Sequence, residues 1–139
     1  MGKINKREYE GVLKSKNANR FKYTVVRICE SRNVYYSDCP QEILKVNDAD
    51  PEKESIVLWG GEFFGKEFFK AQDLDDKNLK RVGIHEFYRE TLPALIKRQG
   101  NVLVFPNLKG EGKIVTAKQF RIALFLKLWE GEQEEWMFN

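Results

Sequence analysis

The chain has 139 residues, of which 42% are hydrophobic and 32% are charged, and its formal net charge is +3. This length fits one domain, and the even balance of positive and negative charges argues against a disordered chain. The sequence has no apolar run near the roughly 18 residues that a membrane span requires, and its charged N-terminus lacks the apolar segment of a secretory signal. These features predict a single cytoplasmic domain over residues 1–139, without a membrane partner.

The first half of the chain combines helical and strand-like patterns. The predicted elements are helices over residues 3–14 and about 19–32, and strands over 33–37, 42–46 and 55–59. Asn17-Ala18-Asn19 should separate the two helices and supply a cap for the second. Because the connections between the strands are short, we expect the three strands to form an antiparallel meander.

The sequence pattern of the second half of the chain predicts an edge strand, a hairpin and two longer helices. The predicted elements are a short helix around Phe63–Phe69, a strand over 81–83, a helix over 84–99, strands over 101–106 and 113–115, and a helix after Thr116 with Phe120, Ala123, Leu124, Phe125 and Leu128 on its apolar side. Pro93 predicts a kink or break near Thr91-Leu92. The continuous apolar run over 101–106 indicates a central strand buried on both faces, and Thr116 with Gln119 forms a capping box.

This order of elements predicts the α+β class. We expect a small mixed sheet, mostly antiparallel and of about five strands, that packs against helices as a single pair of layers. The core of this domain would cover about residues 19–126. The basic helix 3–14 precedes this core, and an acidic and aromatic tail over 130–139 follows it.

The residues whose side chains could take part in catalysis do not combine into a recognisable catalytic site. Cys29 and Cys39 match neither a CxxC redox pair nor a zinc site, and the one histidine, His85, is far from both in the sequence. Gly110-Glu111-Gly112-Lys113 lacks the spacing of a phosphate-binding loop and precedes a strand, so it is interpreted as a hairpin turn. We therefore expect no cofactor, no metal and no enzymatic activity, and a catalytic His85 or Cys29 is the less favoured alternative.

Clustered aromatic residues and segregated charge suggest a binding surface instead. The candidate partner-binding residues are Arg32, Tyr35, Tyr36, Trp59, Phe63, Phe64, Trp136 and Phe138. The alternative for most of these aromatics is a place in the core, and the tail could dock back on the domain. Residues 1–32 hold nine lysines and arginines against three glutamates, a charge that could attract a phosphate backbone or simply face solvent.

The chain also contains several short motifs in a distinctive order. They are Arg20-Phe21-x-Tyr23, Ile56-Val57-Leu58-Trp59, Glu67-Phe68-Phe69, Ile84-x-x-Phe87 leading to Leu92-Pro93, Val102-x-Val104-Phe105-Pro106, and Val115 after a glycine turn. In this order the motifs resemble a bacterial family known as domain of unknown function twenty-seven-fifty. The chain departs from that pattern at Val34-Tyr35, where a Trp would be expected, and at Gly60-Gly61, where a proline-bearing turn would be expected.

The resemblance implies a small α+β domain without established catalytic residues. More loosely, the order of elements is similar to SseB-like modules of secretion systems and of bacterial immunity proteins. Together with the surface residues above, this predicts a non-enzymatic protein-interaction module, and most concretely an immunity-type protein that binds and blocks a bacterial toxin. The alternative is a nucleic-acid-binding accessory protein that uses the basic N-terminal region.

Overall fold

The computed structural model describes residues 6–138, and it describes side chains through residue 130. The helices are α1 (Lys6–Lys14), α2 (Asn17–Ser31), α3 (Gln41–Val46), α4 (Glu62–Ala71), α5 (Ile84–Glu86), α6 (Leu92–Lys97) and α7 (Ala117–Phe138), and a π-helical turn (Phe87–Thr91) joins α5 to α6. The strands are β1 (Asn33–Asp38), β2 (Ser55–Trp59), β3 (Lys80–Gly83), β4 (Asn101–Val104) and β5 (Lys113–Thr116).

The strands form one sheet in the order β3-β1-β2-β4-β5. Strands β2 and β4 run parallel, and every other neighbouring pair is antiparallel. The predicted α+β class, with an open and mostly antiparallel five-stranded sheet, is confirmed. The interior position predicted for the 101–106 segment is also confirmed for β4, although β2 lies at the centre of the sheet.

Helices cover both faces of this sheet. Tyr35 pairs with Trp59, so their side chains share one face, whereas Tyr36 projects from the opposite face. On the first face Trp59 packs against Phe68 of α4, with ring centroids 5.4 Å apart, and on the other Tyr36 packs against Phe87, 6.0 Å away. All five residues of β2 are buried for this reason. Helical residues therefore contact both faces of the sheet.

The segment 42–46 is the helix α3 and not a strand, so this prediction was wrong. Pro40 precedes the helix with φ of −60°, and its carbonyl accepts hydrogen bonds from the amides of Ile43 and Leu44, which closes a helical turn. Ile43 and Leu44 are both buried. A short run of β-branched and leucine residues fits one turn of a buried helix as well as it fits a strand. Strand β1 consequently pairs directly with β2, and the expected meander does not form.

Two predicted helix features are confirmed and one is wrong. Pro93 lies in the first turn of α6, directly after the π-helical turn, so the long helix predicted over 84–99 is interrupted where expected. In the capping box, the Gln119 amide donates to Thr116 Oγ1 over 3.0 Å, and the Thr116 amide donates to Gln119 Oε1 over 2.9 Å. Helix α2, however, begins at Asn17 without a side-chain cap.

Arg20 is buried and ties three segments together. Its Nε donates to the Phe105 carbonyl over 2.9 Å, and its terminal nitrogens donate to the carbonyls of Ser15 and Glu111 and to Asn17 Oδ1. Asn17 therefore serves Arg20 and not the helix cap. Burial lowers the pKa of the Arg20 guanidinium, an effect that the nearby Glu111 charge opposes. These bonds join the start of α2 to the end of β4 and to the β4–β5 turn.

Candidate interaction surface

The aromatic residues that the sequence put forward as partner contacts do not share one surface. Trp59 and Phe64 are fully buried, and Phe64 packs against Phe105 with ring centroids 4.8 Å apart. Both side chains therefore belong to the core, which is the alternative interpretation of these residues. Tyr35 and Tyr36 are half-buried and project from opposite faces of the sheet. The structure thus does not bring these four residues together for a partner.

The remaining candidates are dispersed or lie outside the described side chains. Arg32 is exposed and closes α2 in the left-handed conformation, with φ of 65°. Phe63 is exposed but keeps one edge against Tyr9, with ring centroids 5.1 Å apart. The side chains of Trp136 and Phe138 lie outside the described residues, so their predicted contacts stay a prediction.

The cysteine and histidine environments do not favour nucleophilic chemistry. Burial raises the pKa of the Cys39 thiol to about 12, and burial also raises the pKa of Cys29. Both thiols are therefore protonated near neutral pH, and the thiolate is the reactive form. His85 is exposed on the short helix α5. Among the residues with described side chains, no three His, Cys, Asp or Glu side chains gather as a metal site would require.

Helix α7 carries apolar side chains on two opposite faces. Its inner face, with Ala117, Phe120 and Leu124, is buried in the core. The other face carries what we call the outer stripe, which consists of Ile122, Phe125, Leu126 and Trp129. These four positions follow the spacing i, i+3, i+4 and i+7, so they line one side of the helix.

The outer stripe stands out among the exposed residues of the described chain. Leu126 is 57% exposed and Trp129 41%. Of the eight large apolar side chains that are exposed within residues 6–130, four belong to this stripe. The sequence-based prediction placed Phe125 on the buried side of the helix, and this was wrong. The signal that identifies the stripe is a second helical periodicity, offset from that of Phe120 and Leu124, and the prediction did not use it.

Two grooves border the outer stripe. A groove of about 530 Å³ separates α7 from the π-helical turn and α6, and it is lined by Tyr88, Ile96, Lys118, Arg121, Ile122 and Phe125. A second groove of about 390 Å³ lies towards α2, and its apolar lining is formed by Phe21, Val25, Val26, Ala123 and Leu126. Arg121 is held at the wall of the first groove, because its guanidinium lies 4.1 Å from the Tyr88 ring centroid. The stripe is therefore a ridge between two apolar depressions.

Charge divides α7 into two halves. Residues 117–127 contain Lys118, Arg121 and Lys127 and no acidic residue, whereas residues 128–138 contain Glu130, Glu132, Glu134 and Glu135 and no basic residue. Lys127 Nζ lies 3.3 Å from Glu130 Oε2 at the junction of the two halves. Although α7 is 22 residues long, neither it nor another helix of the described chain has the apolar length needed to cross a bilayer.

The fold and the outer stripe define a small α+β domain whose last helix leaves an apolar face uncovered. The model of a family described as protein of unknown function (DUF2750) matches residues 21–124, well over half of the chain, so the chain belongs to this family. No curated protein and no solved structure matches the chain. The looser likeness to SseB-like modules is therefore not supported. The family match includes Ile122 of the outer stripe and ends before Phe125.

Proposed function

We propose that this domain is a non-enzymatic protein-interaction module that binds through the outer stripe of α7. The observation that carries the proposal is the stripe itself. A single exposed leucine is ordinary on a protein surface, whereas a contiguous apolar patch marks an interaction site. The patch stands on a long helix that packs against the core through Phe120 and Leu124, so it is preorganised.

The surface fits an amphipathic helix of a protein partner. Helices that dock in grooves use anchors at i, i+3, i+4 and i+7, and the ridge and two grooves along α7 offer the complementary shape. Lys118 and Arg121 border one end of the stripe and Glu130 borders the other. A matching helix therefore carries acidic residues near Lys118 and Arg121 and a basic residue near Glu130.

The most specific form of this proposal is an immunity-type protein that binds and blocks a bacterial toxin in the cytoplasm. Inhibition of this kind requires a rigid surface with apolar anchors and complementary charge, and it requires no chemistry of its own. Burial raises the pKa of the Cys29 and Cys39 thiols, which argues against a thiolate nucleophile at either position.

The proposal is tested by calorimetric titration of the purified domain with the purified product of the neighbouring gene. Leu126→Glu should weaken binding at least about tenfold, because it places a charge at the centre of the apolar contact. Val46→Glu is the matched control, since Val46 is 50% exposed on α3, outside the stripe. Equal affinity of the two variants would overturn the stripe as the binding surface. Absence of binding by the wild-type domain would overturn the toxin-blocking form.

A nucleic-acid-binding role is the second proposal, and the exposed cations of the N-terminal helices favour it. Within residues 6–32, the exposed basic residues are Lys6, Arg7, Lys14, Lys16, Lys22 and Arg32. Arg20, by contrast, is buried against carbonyls and does not contribute. If the role is correct, duplex DNA should bind at about 50 mM salt and dissociate steeply as salt rises. Absence of binding at this low salt would remove the proposal.

A further inference from the structure

The charges of α7 are arranged against the dipole of their own helix. The N-terminus of a helix carries partial positive charge and favours acidic residues, and the C-terminus favours basic ones. In α7 the first turn has Lys118 and no acid, and the last turn has no base. Four glutamates occupy the second half instead. A neighbouring helix that runs in the opposite direction would offset both ends, because its own charged halves are reversed.

We infer that, when no other partner is bound, the outer stripe is occupied by a second copy of this chain, with the two α7 helices packed antiparallel across a two-fold axis. This inference rests on the proposed function, in which the stripe binds a helix. An antiparallel partner α7 has the required chemistry, with the same apolar anchors and the opposite order of charges. A parallel pair would place the three cations of each copy together and the four glutamates together, which is repulsive.

The positions along the stripe are self-complementary when the two-fold axis passes between Phe125 and Leu126. In that register Ile122 of each copy faces Trp129 of the other, and the central phenylalanine and leucine face each other across the axis. One patch thus meets an identical patch, as a two-fold interface requires. The grooves on either side of each ridge can receive the side chains of the facing ridge.

The apolar part of the inference is tested by sedimentation velocity on the full chain across a dilution series. Wild-type protein should sediment as a dimer that dissociates on dilution, and Leu126→Glu should raise the dimer dissociation constant at least about tenfold. Val46→Glu should leave that constant unchanged, since Val46 lies on α3, outside the stripe. Wild-type protein that is monomeric throughout, or a Leu126→Glu variant that dimerises as well as wild type, would overturn the inference.

The charge part is tested with two variants that are reversed in opposite halves of α7. An acidic variant carries Lys118→Glu and Lys127→Glu, which leaves Arg121 on Tyr88, and a basic variant carries Glu130→Lys, Glu132→Lys and Glu134→Lys. Each variant alone should be monomeric, because like charges then face each other. Mixed in equal amounts, the two should form a heterodimer, and this restoration shows that both variants are folded. A mixture that stays monomeric would contradict the antiparallel pairing.

Failure of this inference is distinguishable from failure of the proposed function. If the chain is monomeric and Leu126→Glu still abolishes binding of the neighbouring gene product, then only self-pairing is wrong and the stripe binds a different helix. If Leu126→Glu alters neither the dimer nor that binding, then the stripe is not an interaction surface and both proposals fall.

Discussion

Arg20 and the outer stripe of α7 are both placed against the usual rule for their residue types. Arg20 is a charged residue of which only 2% is exposed, whereas the stripe consists of large apolar side chains that face solvent. Each is costly when taken alone, because buried charges and exposed apolar patches are both unfavourable. The difference between them lies in whether the rest of the chain supplies a partner.

The fold accounts fully for Arg20. Three carbonyls and the Asn17 side chain accept its hydrogen bonds, so the buried guanidinium is satisfied within the chain. For the outer stripe, the neighbouring helices form grooves on either side and leave the ridge uncovered. An unusual residue with an internal partner therefore serves the fold. An unusual residue without one is the better place to look for function.

The greatest loss of stability is expected when Arg20 is replaced, because its hydrogen bonds within the chain are then lost. Arg20→Met should lower the free energy of unfolding by about 4 kcal/mol, because one buried and two part-buried carbonyls each lose a donor at about 1–3 kcal/mol. Chemical denaturation followed by circular dichroism measures this loss. Arg20→Lys should be intermediate, since an ammonium group keeps the charge but cannot span the three segments with the fork of a guanidinium. A loss below about 1 kcal/mol for Arg20→Met would show that Arg20 does not hold the fold together.

A smaller loss of stability is expected from substitutions in α7, and it should differ between the two faces of the helix. Leu124→Ala on the buried face should cost about 2–4 kcal/mol through lost burial and a cavity. Leu126→Ala on the exposed face should stay within about 0.5 kcal/mol when the protein is dilute enough to be monomeric. Thermal and denaturant unfolding of the two variants provide the measurement. Equal losses of stability for both variants would mean that the outer stripe is covered within the monomer.

Much of the fold follows from patterns within the sequence. The continuous apolar run over 101–106 indicates a strand buried on both faces, and Val102, Leu103 and Val104 of β4 are all buried. The capping box of Thr116 and Gln119 marks the start of α7 correctly. These features are local, since each depends on residues a few positions apart. The strand prediction for the 42–46 segment failed because five residues are too few for helical and strand periodicity to differ.

The candidate site was harder to predict because exposure depends on distant elements. Phe125 and Leu124 are adjacent and both apolar, and only the packing of α2 and α6 against α7 decides which of them is buried. The same limit applies to Trp59, which the sequence suggests as a partner-binding residue but which packs under α4. Arg20 likewise contacts residues 85 and 91 positions away. Such contacts leave no signature in a local window.

A third prediction concerns the start of the helix that carries the stripe. Thr116→Ala removes the acceptor for the Gln119 amide and should lower the free energy of unfolding by about 1 kcal/mol. Thr116→Ser keeps the hydroxyl oxygen and should retain most of the stability. Denaturant unfolding measures both. If alanine and serine are equally stabilising, then the capping box does not hold the basic first turn of α7.

The smallest effect concerns a polar group that, like Arg20, has an internal partner. The Tyr23 hydroxyl donates to Glu8 Oε1 over 3.0 Å and joins α2 to α1. Burial, and then this hydrogen bond, raise the pKa of Tyr23 to about 12 from its usual 10.0. At neutral pH, Tyr23→Phe should cost only about 0.5 kcal/mol, the value of one largely exposed hydrogen bond.

The raised pKa of Tyr23 fixes the sign of its pH dependence. The unfolded chain releases the tyrosine proton near pH 10, whereas the folded chain holds it to about pH 12. The stabilisation is therefore complete below pH 10 and is lost as the pH rises from 10 to 12. Cys39, with its pKa also near 12, adds to the same decline. Tyr23→Phe should therefore make the fall in unfolding free energy shallower without abolishing it, as measured by urea unfolding at successive alkaline pH values. An unchanged slope would mean that the Tyr23 hydroxyl is as free in the folded domain as in the unfolded chain, and that its contact with Glu8 does not hold α1 in place.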